Sequence, residues 1–215
     1  MKIERFILAS GSPRRKELLL QIGITPEIIP SSIEELVTST VPSEVVMSLS
    51  KQKASDIAKK LAKETGAPAL ILGADTVVSI DGHILGKPHS HEEAAMMIRK
   101  LQGRTHQVYT GVTLILTPKE ACDTDKLNSD ICTEEFGTIV ENFSTKTDVH
   151  VYSMTESEIL AYANSEEPMD KAGAYGIQGN FAKYIKGLDG DYNNVVGLPV
   201  ALVYQRIKKY LFQHH

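Results

Sequence analysis

Four short clusters of polar side chains stand out in this sequence. They are Ser12 with Arg14 and Arg15, Glu34 with Glu35, Asp75-Thr76 with Lys87, and the run from Asp170-Lys171 to Gln178. Arginine and lysine bind phosphate, while carboxylates hold hard divalent ions or activate water. Together these groups suit cleavage of a phosphoanhydride, whose transition state needs charge neutralisation and a positioned water. All four clusters are expected in loops at strand ends or helix starts, where a rigid scaffold concentrates binding residues.

The first cluster reads as an anion seat. An apolar run from Arg5 to Ala9 meets the small-residue loop Ser10-Gly11-Ser12, and a helix then opens on Pro13. Ser12 suits the N-cap because its hydroxyl accepts from an orphan backbone N–H. Pro13 suits the first helical position, where a missing N–H costs nothing, and Gly23 suits the helix end. Cations normally avoid the positive end of a helix dipole, so Arg14, Arg15 and Lys16 call for a compensating anion, and phosphate is the natural one. The plainer alternative is a solvated basic turn beside Glu17.

Asp75 is the sharpest single residue. It follows the buried-type strand Ala69–Leu72 and two small residues, and then meets Thr76-Val77-Val78. A carboxylate in such apolar surroundings is costly unless it is paired, hydrogen-bonded or on a metal. It either activates water or holds Mg²⁺, or it is a structural aspartate bonded to nearby backbone. Lys87-Pro88 returns beside it across a hairpin. Glu35 offers a second oxygen ligand, although Glu34-Glu35 also reads as a solvated loop. Lys53 borders the buried face of a long helix, and by its local sequence alone a solvated lysine is the better reading. In the glycine-rich stretch, Gly173, Gly176 and Gly179 would allow close approach of backbone to a ligand. There Lys171 would meet a phosphate and Gln178 a base edge, with Tyr175 between them, against a flexible surface loop as the alternative. His89 and His91 read as polar residues of a helix start. The sequence has no Gly-x-Ser-x-Gly elbow, which weakens a serine-hydrolase reading.

These residues need a scaffold of interleaved strands and helices. Strands are expected at Arg5–Ala9, Glu27–Pro30, Ala69–Leu72, Ile84–Leu85, Thr105–Leu116, around Phe136–Glu141, around Thr147–Tyr152, and as a final pair at Ala182–Ile185 and Asn194–Val196. Helices are expected from Pro13, from a Ser43 cap towards Glu64, from Ser90 to Leu101, after Thr155, and from Gly197-Leu198-Pro199 to near Phe212. Ser90/Glu93 and Thr155/Glu158 have capping-box spacing, and Asp81-Gly82 is a hairpin turn signal. Thr117–Glu134 is polar and reads as a mobile insertion. The pattern predicts an α/β fold with a mixed sheet flanked by helices.

Composition narrows the class. The chain has 215 residues, 42% hydrophobic and 23% charged, which is ordinary globular usage. A net charge of −4 argues against broad nucleic-acid binding. No apolar run approaches the ~20 residues of a membrane span, and Lys2, Glu4 and Arg5 do not fit a secretory leader. Cys122 and Cys132 fit no zinc spacing and need no disulfide framework. A reducing, cytoplasmic setting is expected, with no nucleic-acid or membrane partner.

Five motifs, taken in order, resemble the Maf family of nucleoside triphosphate pyrophosphatases: Ala-Ser-Gly-Ser-Pro-Arg-Arg at 9–15, Gly-Ala-Asp-Thr-Val-Val at 73–78, Gly-Lys-Pro at 86–88, Asp-Lys-Ala-Gly-Ala-Tyr-Gly-Ile-Gln-Gly at 170–179 and Asn-Val-Val-Gly-Leu-Pro at 194–199. The likeness covers essentially all of residues 1–215 as one domain, apart from most of 117–134. It implies a long mixed twisted sheet with helices in two lobes around a central cleft, related to inosine triphosphate pyrophosphatases. It implies cleavage of a nucleoside triphosphate between the α and β phosphates with a divalent metal, Mg²⁺ or Mn²⁺, by a homodimer. Asp75 matches the general base and Glu35 another polar site position, and the two together are expected to hold the metal. Arg14, Thr76 and Gln178 match positions tied to substrate choice, and Ser10, Arg15, Lys53 and Lys87 match other polar site positions. Asp75-Thr76 with the 170–179 motif looks like the branch acting on dTTP and UTP. The 7-methyl-GTP branch, or a non-catalytic nucleotide sensor touching cell division, is the alternative.

Overall fold

A computed structural model of the chain describes residues 3–62, 68–117, 133–134 and 137–211. In chain order the elements are β1 (Arg5–Leu8), α1 (Pro13–Gln21), β2 (Glu27–Ile28), α2 (Pro42–Leu61), β3 (Ala69–Ile80), β4 (His83–Leu85), α3 (His91–Leu101), β5 (Thr105–Leu116), β6 (Thr133–Glu134), β7 (Gly137–Val151), α4 (Glu156–Ala163), β8 (Ile185–Asp189), α5 (Tyr192–Val196) and α6 (Val200–Leu211). They build one eight-stranded sheet in the order β2-β1-β3-β5-β7-β6, with β4 added to β3 and β8 to β7. β1 runs parallel to β2 and β3, and the other pairs are antiparallel, so the sheet is mixed as expected.

Both faces of the central strands are covered, which explains their near-continuous apolar sequence. On one face Ile7, Ile71 and Ile115 pack against Ala54, Ile57 and Ala58 of α2. On the other, Leu8, Leu70, Leu72 and Leu114 meet Ile98 and Leu101 of α3 and Val203 and Ile207 of α6. Each buried branched side chain contributes roughly 1.5–3 kcal/mol by leaving water.

Two glycines set how close α2 lies to the sheet. A Cβ on Gly73 would stand 2.3 Å from the Ser50 carbonyl oxygen, and one on Gly111 2.2 Å from that of Val46. Only hydrogen fits between strand and helix backbone at these two points.

Several expectations need correction. Asp75 and Thr76 are not in a loop, because β3 runs unbroken through them to Ile80. The strand persists because β5 pairs with it residue for residue from Leu70 to Ser79. The two strands expected around 136–152 are one, β7, since half-buried polar residues are tolerated on a strand with one partly wet face. Asn194–Val196 is not a strand but part of α5. There Asp191 caps Asn193 N at 2.8 Å, and the buried Asn194 amide donates to Val108 O and to Thr147 Oγ1. Asn180–Tyr184 forms a 3₁₀ turn around the fully buried Phe181, and the last strand is Ile185–Asp189 instead. The long helix begins at Pro42, with Val41 rather than Ser43 at the cap.

Of the polar stretch, Thr117 is buried and bonded to Ala69, and Thr133–Glu134 pairs with β7. Residues 118–132, with both cysteines, lie outside the described residues. The Thr155/Glu158 capping box is complete. At α3, Ser90 accepts from Glu93 N, but the Glu93 carboxylate reaches His89 N instead of the cap. Ser12 stands at the N-cap of α1, yet its hydroxyl makes no capping bond, and its backbone N–H donates to Ser10 Oγ at 3.3 Å.

Candidate active site

The site lies where the sheet has a gap in one edge. β1 ends at Leu8, opposite Leu72, and its last link is Ala9 N to Leu72 O at 2.8 Å. β4 begins to pair only at Val78. Between them, Gly73–Val77 of β3 has, among the described residues, a strand partner on the β5 side alone. The 10–13 loop and the start of α1 face this gap. So do the 167–179 loop and the α5–α6 junction, which together enclose a cleft of about 730 Å³.

Successive strand residues point to opposite faces, and the open edge lets both faces reach one cleft. Asp75, opposite Gly111, projects towards α2 and receives Lys53 there, with Nζ to Oδ1 at 2.5 Å. Both side chains are mostly buried, at 14% and 16% exposed. Lys53 also meets Glu35 at 2.9 Å, so one ammonium draws two carboxylates together. The backbone next to Glu35 is fixed as well. Gln52, the neighbour of Lys53, donates to Leu36 O at 2.8 Å and accepts from Leu36 N at 2.9 Å.

Thr76 emerges on the other face and anchors Arg15. The Arg15 guanidinium donates to Thr76 Oγ1 at 3.0 Å, Ser10 Oγ at 2.9 Å and the Gly197 carbonyl at 2.9 Å. All three acceptors are neutral. Burial pushes the Arg15 pKa below its ordinary value, the nearby Asp75 and Glu35 charges pull it up, and Arg14 pushes it down. A guanidinium held this way has charge left over for an anion in the cleft. Arg14 points to Asp170 at 3.5 Å and stays part-exposed.

The glycine-rich stretch is a built wall, not a flexible surface loop. The Glu167 carboxylate accepts from Tyr162 OH, Asn180 N and Asn180 Nδ2 at 2.9–3.1 Å. Burial alone would raise its pKa, but these bonds hold it below the usual carboxylate value. A Cβ on Gly179 would fall 2.1 Å from Glu167 Oε1, so the loop closes on this carboxylate. Gly173 N donates to Gly86 O at 2.9 Å, which ties the loop to the segment bearing Lys87.

The cleft lining includes Ser10, Arg14, Arg15, Lys53, Asp75, Thr76, Lys87, Lys171 and Gln178, and Glu35 joins through Lys53. Lys87 and Gln178 are exposed within it, and neither makes a hydrogen bond or ion pair among the described residues. Lys171 is turned into its own loop, with Nζ 2.6 Å from Glu167 O and 2.6 Å from Asp170 Oδ1. His91 bonds the Ala163 carbonyl. Sequence reasoning overlooked Glu167, Thr110 and the Gly197 carbonyl. Thr110 bonds Thr76 at 2.9 Å and Asn194 O at 2.9 Å. No local signal marks these groups: Thr110 and the Gly197 carbonyl meet partners 34 to 182 residues away in the chain, and Glu167 gathers groups 5 to 13 residues away that no spacing pattern announces.

The donor set at the cleft floor suits a hard cation. Two carboxylates, Asp75 and Glu35, already share one positive charge. Among the described residues no three His, Cys, Asp or Glu side chains converge. A Mg²⁺-type ion takes one or two carboxylates and completes its shell with waters and substrate phosphates, a demand the Asp75 and Glu35 carboxylates would meet.

The family model described as Maf-like protein matches residues 5–210. The dTTP/UTP pyrophosphatase of Agathobacter rectalis is 47% identical over 215 residues, covering 96% of this chain and 98% of its own. That of Lachnoclostridium phytofermentans is 44% identical, covering 96% and 95%. That of Carboxydothermus hydrogenoformans is 43% identical, covering 96% and 98%. The family match over residues 5–210 and the 43–47% identity to these relatives along nearly the whole chain place it in one family: the chain belongs to the Maf-like proteins.

Proposed function

We propose that this protein hydrolyses dTTP and UTP to the monophosphate and pyrophosphate. The observation that carries this reading is the meeting of Asp75, held by Lys53, with the arginine-bearing start of α1 in one cleft. The names of the relatives point to the same substrates.

The chemistry follows from the residues. Arg14, Arg15 and Lys87 neutralise the triphosphate, helped by the open N–H groups at the start of α1. Lys53 holds Asp75 and Glu35 in place. Asp75 accepts a proton from a water whose oxygen bonds to the α phosphorus. The bond from that phosphorus to the α–β bridging oxygen breaks, and pyrophosphate leaves. Asp75 and Glu35 are the residues that would hold Mg²⁺ or Mn²⁺, and the bound ion supplies charge neutralisation on the phosphate oxygens. Gln178 and Arg14 line the cleft where a nucleotide is read, and Thr76 acts through Arg15.

Turnover in the cytoplasm is part of the proposal. No helix among the described residues is long and apolar enough to cross a membrane. A homodimer is part of the proposal, supported by the apolar Leu36 and Val37, which are 66% and 57% exposed. Light scattering checks it.

The experiment is a parallel rate panel of dTTP, UTP, CTP and 7-methyl-GTP with product analysis. Monophosphate plus pyrophosphate from dTTP and UTP is the expected outcome. Preference for 7-methyl-GTP, or binding without turnover, overturns the reading.

A further inference from the structure

Behind the cleft lies a polar pair that the chemistry above does not use. His106 of β5 is fully buried, at 0% exposed, and its Nε2 lies 2.8 Å from the hydroxyl of Tyr175. The rings meet edge-on, with centroids 5.2 Å apart and planes at 84°. His106 Nδ1 has no partner among the described residues, so the Tyr175 bond alone ties down the polar end of the ring. Burying an imidazole costs free energy that hydrogen bonds must offset, and here the Tyr175 bond offsets it at Nε2 while Nδ1 is left uncompensated.

Tyr175 belongs to the glycine-rich wall and lines the cleft itself. Its ring packs on Phe181 with centroids 4.8 Å apart. The two residues before it are both left-handed, Gly173 at φ +68° and Ala174 at φ +60°. Alanine rarely adopts that conformation, and such strain persists only where neighbouring contacts overdetermine it. On one side the contact is Gly173 N to Gly86 O. On the other it is the seat of Tyr175 on His106 and Phe181. Directly after Tyr175 come Gly176, Ile177 and Gln178, which form the cleft wall.

We propose that His106 and Tyr175 form one positioning unit, which fixes where Gly176–Gln178 stand in the cleft and thereby sets how well the enzyme tells one nucleobase from another. Neither residue touches the reacting atoms. The unit acts through the backbone, holding the strained turn so that Gln178 is presented at one depth. In its selectivity part the inference rests on the proposed nucleotide chemistry.

Tyr175→Phe removes one oxygen and keeps the ring, so it tests the bond without emptying the core. It is expected to raise KM for dTTP about tenfold, while kcat changes less than about threefold. The dTTP-over-CTP preference falls with it. His106→Leu gives the same pattern, the double variant is no worse than the worse single, and His106→Gln, which keeps a polar end, restores part of the loss. Additive effects, or a lower melting temperature with KM and selectivity unchanged, overturn the proposal.

A second readout needs no substrate. Hydrogen exchange of the Gly173–Gly179 amides in the free protein is expected to quicken in Tyr175→Phe while β5 amides stay protected. Unchanged exchange there also overturns the proposal. If the parent protein cleaves none of the four nucleotides, the proposed function fails, and this exchange result still decides the positioning unit.

Discussion

Lys53 reaches Asp75 across the floor of the cleft, Nζ to Oδ1 at 2.5 Å, from a helix that could not come so close to an ordinary strand. The pair depends on both partners being placed by backbone. β3 carries Asp75 at its unpaired edge, and α2 lies against Gly73 and Gly111 so that Lys53 overhangs it.

Lys53→Met leaves Asp75 and Glu35 facing each other with no shared cation. Breaking a mostly buried pair of this kind is expected to lower stability by about 1–3 kcal/mol, less than for a fully dry pair because Glu35 is half exposed. Added Mg²⁺ should then raise the urea midpoint more in the variant than in the parent. Equal midpoints with and without Mg²⁺ in both proteins would speak against Asp75 and Glu35 as a cation site.

Gly111→Ala tests the close approach. Its Cβ would stand 2.2 Å from Val46 O, a backbone atom that cannot swing away. Overpacking should cost about 2–3 kcal/mol and lower kcat/KM by lifting Lys53 from Asp75. Gly86→Ala has open space around it and should stay within about 0.5 kcal/mol of the parent. Urea denaturation compares the two.

The arginines should separate. Arg15 spans Ser10, Thr76 and the Gly197 carbonyl, and a lysine cannot serve three acceptors in that fork. Arg15→Lys is expected to lose about 1–3 kcal/mol of stability as well as activity. Among the described residues, the Arg14 side chain makes a single polar contact, at 3.5 Å, with the exposed Asp170. Arg14→Ala should keep the parent's melting temperature and raise KM. The opposite assignment of the two effects would refute this division.

His106 predicts a pH dependence of stability. Burial, with a smaller push from the nearby His150 and against the pull of Asp148, lowers its pKa from 6.5 to about 4. The unfolded chain therefore binds the proton more readily than the fold between those values. Stability from this residue is complete above pH 6.5 and is lost as pH falls towards 4, by up to about 3 kcal/mol. Carboxylates held low, such as Glu167 and Asp170, add their loss at the acid end of that range. The slope between pH 6.5 and 5 should flatten in His106→Gln, as read by urea midpoints at each pH. An unchanged slope would assign it to another group.

Much of this was legible in the sequence, because the signals were local. Pro13 and Gly23 bound α1, Asp81-Gly82 turns the β3–β4 hairpin, and Thr105–Leu116 is a strand residue for residue. Asp75 stood out because a carboxylate in an apolar strand requires a partner. That partner, Lys53, read as a solvated lysine because nothing near it in sequence shows that α2 crosses Gly73 and Gly111. The stretch 192–196 misled for a similar reason. Val195 and Val196 favour a strand locally, whereas the Asp191 cap and the buried Asn194 bonds to β5 and β7 select a helix. Glu167 was invisible because its role lies in what it gathers from residues 162 and 180.

The central claim is that Asp75 takes the proton from the attacking water. Its most direct test is Asp75→Asn, measuring monophosphate and pyrophosphate release from dTTP and UTP alongside circular dichroism. The fold is expected to stay intact and kcat to fall by about a thousandfold or more. A folded variant that turns over within about tenfold of the parent would contradict it.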